Sequence, residues 1–206
     1  MELKQYLERC PLVAILRGVR PDEVEAITQA LEAAGVAIVE VPLNSPDPMA
    51  SVARLAARFG ERLLIGAGTV MQPAQVAEIA AAGGRLVVTP HADAAVVRAA
   101  KAAGLIAVPG FFSPAEAFAM LAAGADALKL FPAEAASPAV VRALLAVLPA
   151  GTRVLPVGGM AADNLAAWRA GGSAGFGIGS AIYRPGDDAA TVGAKARALV
   201  AALASG

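Results

Sequence analysis

The strongest constraint on the fold is a join that recurs five times: an alanine-rich helical run ends at glycine and a short apolar run follows. It occurs at Gly35 before Ile38-Val39-Glu40-Val41, at Gly83-Gly84 before Leu86-Val87-Val88-Thr89 and at Gly104 before Leu105-Ile106-Ala107-Val108. It returns at Gly124 before Ala127-Leu128-Lys129-Leu130, and at Gly171-Gly172 before residues 174–178. Glycine just past a helix end takes the left-handed backbone that closes the last turn without a Cβ clash. Helix starts are equally legible. Ser113-Pro114-Ala115-Glu116 spells a capping box with proline at the first helical position, and Ser137-Pro138 repeats the cap-plus-proline signal. Pro21 and Pro73 are expected to open two further helices.

Residues 13–16, 63–66 and 153–157 bring the strand candidates to eight. Eight helical segments follow them, the last over residues 188–204, and a short extra helix over residues 3–9 precedes the first strand. Strict alternation of strand and helix, with strands apolar along nearly their whole length, calls for a parallel sheet covered by helices. Eight unbroken units favour an α/β fold of the closed (β/α)8 TIM-barrel type. An open doubly wound sheet is the alternative, but Leu16-Arg17-Gly18-Val19-Arg20 is no GxGxxG fingerprint. With 206 residues and no linker or low-complexity run, one barrel domain over 1–206 is expected.

In such a barrel the strand C-termini build the site. Lys129, one of four lysines, falls inside the apolar run Ala127-Leu128-Lys129-Leu130-Phe131-Pro132. Burial would lower its pKa and free the amine as a nucleophile toward carbonyls; alternatively its stem is covered and its head snorkels to water. Glu40, in Ile38-Val39-Glu40-Val41-Pro42, is a carboxylate in an equally apolar run. Desolvation would raise its pKa toward proton-transfer range, whereas an ion pair with Arg17 or Lys129 would give it a structural role. Gly158-Gly159 and Gly179-Ser180 end the last two strands, where backbone N–H groups suit a phosphate dianion; glycines that merely relieve tight turns are the plainer reading. Arg17 can fork onto a carboxylate or phosphate, or hold Glu40. Thr69, after Gly66-Ala67-Gly68, offers a hydroxyl at the rim or caps the helix of Pro73. His91, the one histidine, reads as a solvated helix start.

Other classes are disfavoured. A formal net charge of +0 without basic runs argues against nucleic acid or an anionic membrane as partner. The longest uncharged stretches carry glycine and proline and are too short to span a membrane. The single cysteine, Cys10, leaves neither a disulfide framework nor a cysteine-based zinc site, so a cytoplasmic protein is expected, with no metal and no cofactor. A phosphate-binding isomerase or epimerase using Glu40 as base stands as a rival enzyme. A non-enzymatic phosphosugar-binding barrel is the rival outside enzymes.

Five markers at five strand ends resemble the class I 2-keto-3-deoxy-6-phospho-sugar acid aldolases across essentially the whole chain. They are Ala14-Ile15-Leu16-Arg17-Gly18, Val39-Glu40-Val41, Gly66-Ala67-Gly68-Thr69-Val70, Leu128-Lys129-Leu130-Phe131-Pro132 and Pro156-Val157-Gly158-Gly159. The resemblance implies a homotrimer of small barrels acting on a phosphorylated sugar acid, with pyruvate and glyceraldehyde 3-phosphate as products. It assigns Lys129 the imine, Glu40 the proton transfers, and Arg17 and Thr69 the orientation of the substrate. Phe131 would wall the site, and Gly158, Gly159, Gly179 and Ser180 would hold the 6-phosphate. Two branches of the family differ in the C4 epimer they prefer. Pro42-Leu43-Asn44-Ser45-Pro46 and Val157 resemble the phosphogalactonate branch, placing Asn44 and Val157 where the epimer is read. Phe131-Pro132-Ala133-Glu134 instead resembles the phosphogluconate branch, which keeps that epimer and dual specificity open.

Overall fold

A computed structural model describes residues 2–204. The chain opens with α1 (Leu3–Arg9) and then alternates: β1 (Leu12–Ile15), α2 (Val24–Ala33), β2 (Ile38–Pro42), α3 (Pro48–Phe59), β3 (Leu64–Gly68), α4 (Pro73–Ala81), β4 (Leu86–Val88) and α5 (Ala94–Ala102). After β5 (Ile106–Val108) and β6 (Gly110–Phe111) come α6 (Pro114–Ala122), β7 (Leu128–Leu130) and α7 (Pro138–Leu145). The last elements are β8 (Val154–Pro156), α8 (Leu165–Ala170), β9 (Phe176–Ile178) and α9 (Ala189–Ala204).

The five glycine joins fold alike. After α2, the Val36 N–H donates to the Leu31 carbonyl while the Gly35 N–H donates to Glu32, a Schellman closure. The same pair of bonds recurs at Gly83-Gly84, Gly104-Leu105, Gly124-Ala125 and Gly172-Ser173. One reversal repeated with one hand returns each strand parallel to the last. Helix starts follow the sequence less uniformly. Ser113 and Glu116 form the expected capping box, but the Ser137 side chain makes no capping bond. Pro21 does not open a helix; it sits in a turn in which the Glu23 and Val24 N–H groups both donate to the Arg20 carbonyl, and α2 begins at Val24. Proline at the second position of such a turn has its φ pre-set and needs no helix to follow.

The strands form two parallel sheets, one ordered β5-β4-β3-β2-β1-β9 and one ordered β6-β7-β8. The fifth expected strand ends at Val108 as β5; Pro109, which has no N–H to continue a ladder, follows it, and the additional β6 begins at Gly110 in the second sheet. The Pro109 carbonyl still accepts from the Lys129 N–H at 2.9 Å, and an isolated Val157–Gly177 bridge lies between β8 and β9. Every residue of β1, β2, β3 and β7 is buried. Along β2 the alternation sends Val39 and Val41 to one face, under the helices, and Glu40 to the other. Each such aliphatic contributes about 1.5–3 kcal/mol through burial, and Ile38, on the same face of β2 as Glu40, is fully buried as well. Glu40 is therefore a carboxylate set into an otherwise apolar face.

Candidate active site

Glu40 and Lys129 project from β2 and β7 into one cavity of about 20 Å³. Val13, Leu86, Val108 and Leu155 line it, and Leu3 of α1 reaches it as well. Glu40 is 2% exposed and Lys129 6%. Little of either side chain reaches the surface, and burial is the largest influence on the titration of both. It pushes the Glu40 carboxyl up from 4.5 to about 7, against the downward pull of Lys129 and then Arg17. It holds the Lys129 amine below its ordinary range, although the Glu40 charge acts the other way. The Glu40 Oε2 atom has no hydrogen-bond partner among the described residues. Gly68 makes its seat: a Cβ there would overlap the Glu40 carboxylate. Lys129 Nζ lies 4.8 Å from the centroid of the Phe131 ring.

Above this cavity opens a cleft of about 380 Å³. Ile15, Val157 and Gly177 line both spaces, so the cleft leads down to the amine and the carboxyl. Arg17, Phe131, Gly158, Gly159, Gly179 and Ser180 line the cleft. The other two expected residues hold Arg17. Its guanidinium donates to Asn44 Oδ1 at 2.7 Å and lies 3.5 Å from Thr69 Oγ1. Thr69 is not a helix cap, since Gln72 takes that place before α4. Its φ of 56° is a left-handed conformation that a β-branched residue rarely adopts. Strain of this kind concentrates at functional sites. All eleven expected residues therefore gather around one cavity and its cleft.

Two charged residues of the cleft were not among the expected site residues. Glu134, on a 3₁₀ turn (Ala133–Ala135) after β7, lies against the Gly158-Gly159 loop: a Cβ on Gly158 would overlap its carboxylate, and one on Gly159 would stand 2.9 Å from its Cγ. Arg184 lies in the stretch after β9 and donates from Nε to the Ser180 carbonyl at 3.2 Å. Neither lies within a strand run: Glu134 follows Pro132 and Arg184 precedes Pro185, in loop sequence. Their loops alone bring them in. Among the described residues no cluster of three or more His, Cys, Asp or Glu could hold a metal ion, and no helix is long and apolar enough to cross a membrane.

The family model for KDPG and KHG aldolase matches residues 3–192. The 2-dehydro-3-deoxy-6-phosphogalactonate aldolase of Escherichia coli (strain K12) is 44% identical over 198 residues, covering 96% of this chain and 97% of the relative. A native KDPGal structure superposes with a TM-score of 0.94 at 44% identity, covering 96% of each chain. The KDPG aldolase of Legionella pneumophila, solved with pyruvate captured at low pH as a covalent carbinolamine intermediate, superposes with a TM-score of 0.86 at 25% identity, over 97% of this chain and 98% of that one. By the extent of the family match and of the 44% identity, the chain belongs to the KDPG and KHG aldolase family.

Proposed function

We propose that this aldolase is a class I, metal-independent enzyme that cleaves 2-dehydro-3-deoxy-6-phosphogalactonate to pyruvate and D-glyceraldehyde 3-phosphate. The observation that carries the reading is the placement of Lys129 and Glu40, both buried, in one cavity beneath an open cleft. The low-pKa amine of Lys129 adds to the C2 ketone, and loss of water gives an imine. The protonated imine accepts the electron pair of the C3–C4 bond as the C4 hydroxyl loses its proton. Cleavage releases the aldehyde and leaves an enamine, which is protonated at C3 and hydrolysed to pyruvate. A carboxyl with a pKa of about 7 can both take and return these protons, which is the part assigned to Glu40. Arg17, held by Asn44 and Thr69, orients the substrate carboxylate. Gly158, Gly159, Gly179 and Ser180 receive the 6-phosphate, whose binding positions the reacting carbons. Phe131 walls the amine.

The decisive experiment adds borohydride with pyruvate and maps the product by peptide mass. A reduced adduct on Lys129 is expected; an unmodified Lys129 sinks the imine mechanism, and activity abolished by EDTA would favour a metal-assisted route. Phe131-Pro132-Ala133-Glu134 favours a second reading, cleavage of the gluconate epimer or of both, and comparing kcat/KM on the two epimers decides it.

We also infer that the two sheets are arcs of one eight-stranded barrel within a single domain. The Val157–Gly177 bridge at one seam and the Lys129–Pro109 bond at the other support it. A homotrimer is the assembly the family resemblance implies, in the cytoplasm that the single cysteine favours, and light scattering with this chain alone tests the trimer.

A further inference from the structure

A phosphate cradle has no evident use for a carboxylate, yet Glu134 stands in this one. Its position is fixed from the backbone. The adjacent Ala133 N–H donates to the Val157 carbonyl at 2.9 Å, tying the 3₁₀ turn to the strand that ends in Gly158-Gly159. Gly158 has a φ of 110° and Gly159 one of 66°, and neither has a side chain to hold the carboxylate off. Glu134 therefore borders the space that a phosphate on these glycines would fill. Arg17 and Arg184 are the other ionisable side chains on the cleft wall, with Glu40 and Lys129 in the cavity below.

A carboxylate is an acceptor only. A phosphate ester that has lost both protons is also an acceptor only, so the two would meet oxygen to oxygen with like charge. The singly protonated ester has one P–OH group, and that hydroxyl turns the same contact into a charge-assisted hydrogen bond. We propose that Glu134 selects the protonated oxyanion: the cleft takes a phosphate monoester as its monoanion, whose P–OH donates to the Glu134 carboxylate. Arg17 and Arg184 face the remaining charge, and the glycine amides take the unprotonated oxygens. The inference rests on the phosphate reading of the cleft proposed above. It adds that a sulfate ester, which carries no such proton, binds less tightly.

Methyl phosphate and methyl sulfate test this, because near pH 5.5 they carry about the same charge and differ by one proton; the second pKa of a phosphate ester is about 6. Binding of each to the whole protein is followed by NMR titration at about pH 5.5 and about pH 8, in the native protein and in Glu134→Gln. The native protein is expected to prefer methyl phosphate about tenfold at the lower pH, the worth of one hydrogen bond to a charged group. That preference should shrink at the higher pH as the ester loses its proton. In Glu134→Gln, the two esters should bind within about twofold of each other, and methyl phosphate should no longer weaken as pH rises. Thermal melting checks that the variant folds. Equal binding of both esters by the native protein, or a preference that survives in Glu134→Gln, overturns the role of Glu134 and leaves the cradle standing. Binding of neither ester removes the cradle, and the inference with it.

Discussion

The floor and the rim of the cleft handle charge in opposite ways. At the floor, Glu40 and Lys129 are side chains on central strands, nearly without exposure, and burial decides their charge. At the rim, the glycines after β8 and β9 present backbone, and the charged side chains beside them, Glu134 and Arg184, are exposed. The contrast follows from the two tasks. Groups that gain and lose protons near neutral pH must be moved off their ordinary pKa values, which takes a dry place. A group that keeps its charge through the reaction needs fixed dipoles and tolerates water. The two ends should therefore fail separately.

Lys129→Met is the largest test of that separation. Methionine keeps the length and apolar stem of lysine and removes the amine. Turnover should fall by roughly 10⁴- to 10⁶-fold, the scale on which loss of a nucleophile is felt. Binding of methyl phosphate at the rim should survive unchanged. Glu40, freed from the pull of the ammonium, should hold its proton to a higher pH than before. If Lys129→Met abolishes both turnover and phosphate binding while still melting cooperatively, the floor and the rim are one coupled unit and the contrast is lost.

Glu40→Gln should act next in size, lowering kcat by about 10²- to 10⁴-fold, the usual weight of a general acid–base group. It also has a signature in stability. The folded pKa of Glu40 is raised, from 4.5 to about 7, so the native state holds the proton more tightly than the unfolded chain. The stabilisation is complete below about pH 4.5 and is lost as pH rises through about 7. A shift of this size corresponds to roughly 3 kcal/mol. Denaturant melts between those pH values should show native stability falling with pH more steeply than in Glu40→Gln. Parallel profiles would mean that Glu40 titrates as an ordinary surface carboxyl. Lys129 has the opposite sign: its lowered pKa makes stability rise with pH between its folded value and 10.5.

The floor was legible in the sequence and the rim only partly so, for one physical reason. A lysine or glutamate inside an apolar run contradicts its surroundings, and Lys129 and Glu40 could be picked out on that ground alone. The five helix–glycine–strand joins were legible because each is a local closure settled within six residues. What stayed hidden depends on the fold. Glu134 and Arg184 sit in proline-containing loops outside the strand runs, and only the parallel return of the strands brings them to one cleft. The additional β6 after Pro109 was hidden likewise, because a proline that ends a strand and one between two strands read alike until the ladder is traced. Pro21 misled for the related reason that turns and helix starts share the same φ.

The smallest effect is expected at the seam. Val157 is 8% exposed and lines both the floor cavity and the cleft, so its side chain lies where floor and rim meet. Its backbone is committed, with the N–H donating to the Leu130 carbonyl and its own carbonyl accepting from Ala133. A change confined to the side chain therefore leaves the strand in register. Val157→Thr exchanges a methyl for a hydroxyl at nearly constant volume. That hydroxyl gives the site a hydrogen-bonding group where it now has a hydrocarbon wall, and a polar site discriminates between substrate hydroxyls more sharply than an apolar one. The ratio of kcat/KM for the gluconate over the galactonate epimer should rise about tenfold, measured as pyruvate release coupled to lactate dehydrogenase. Without substrate the new hydroxyl is buried without a partner, so stability should drop by about 1–3 kcal/mol. An equal loss on both epimers would show that Val157 only packs. The choice of epimer would then have to be made across the cleft, where Asn44 holds Arg17.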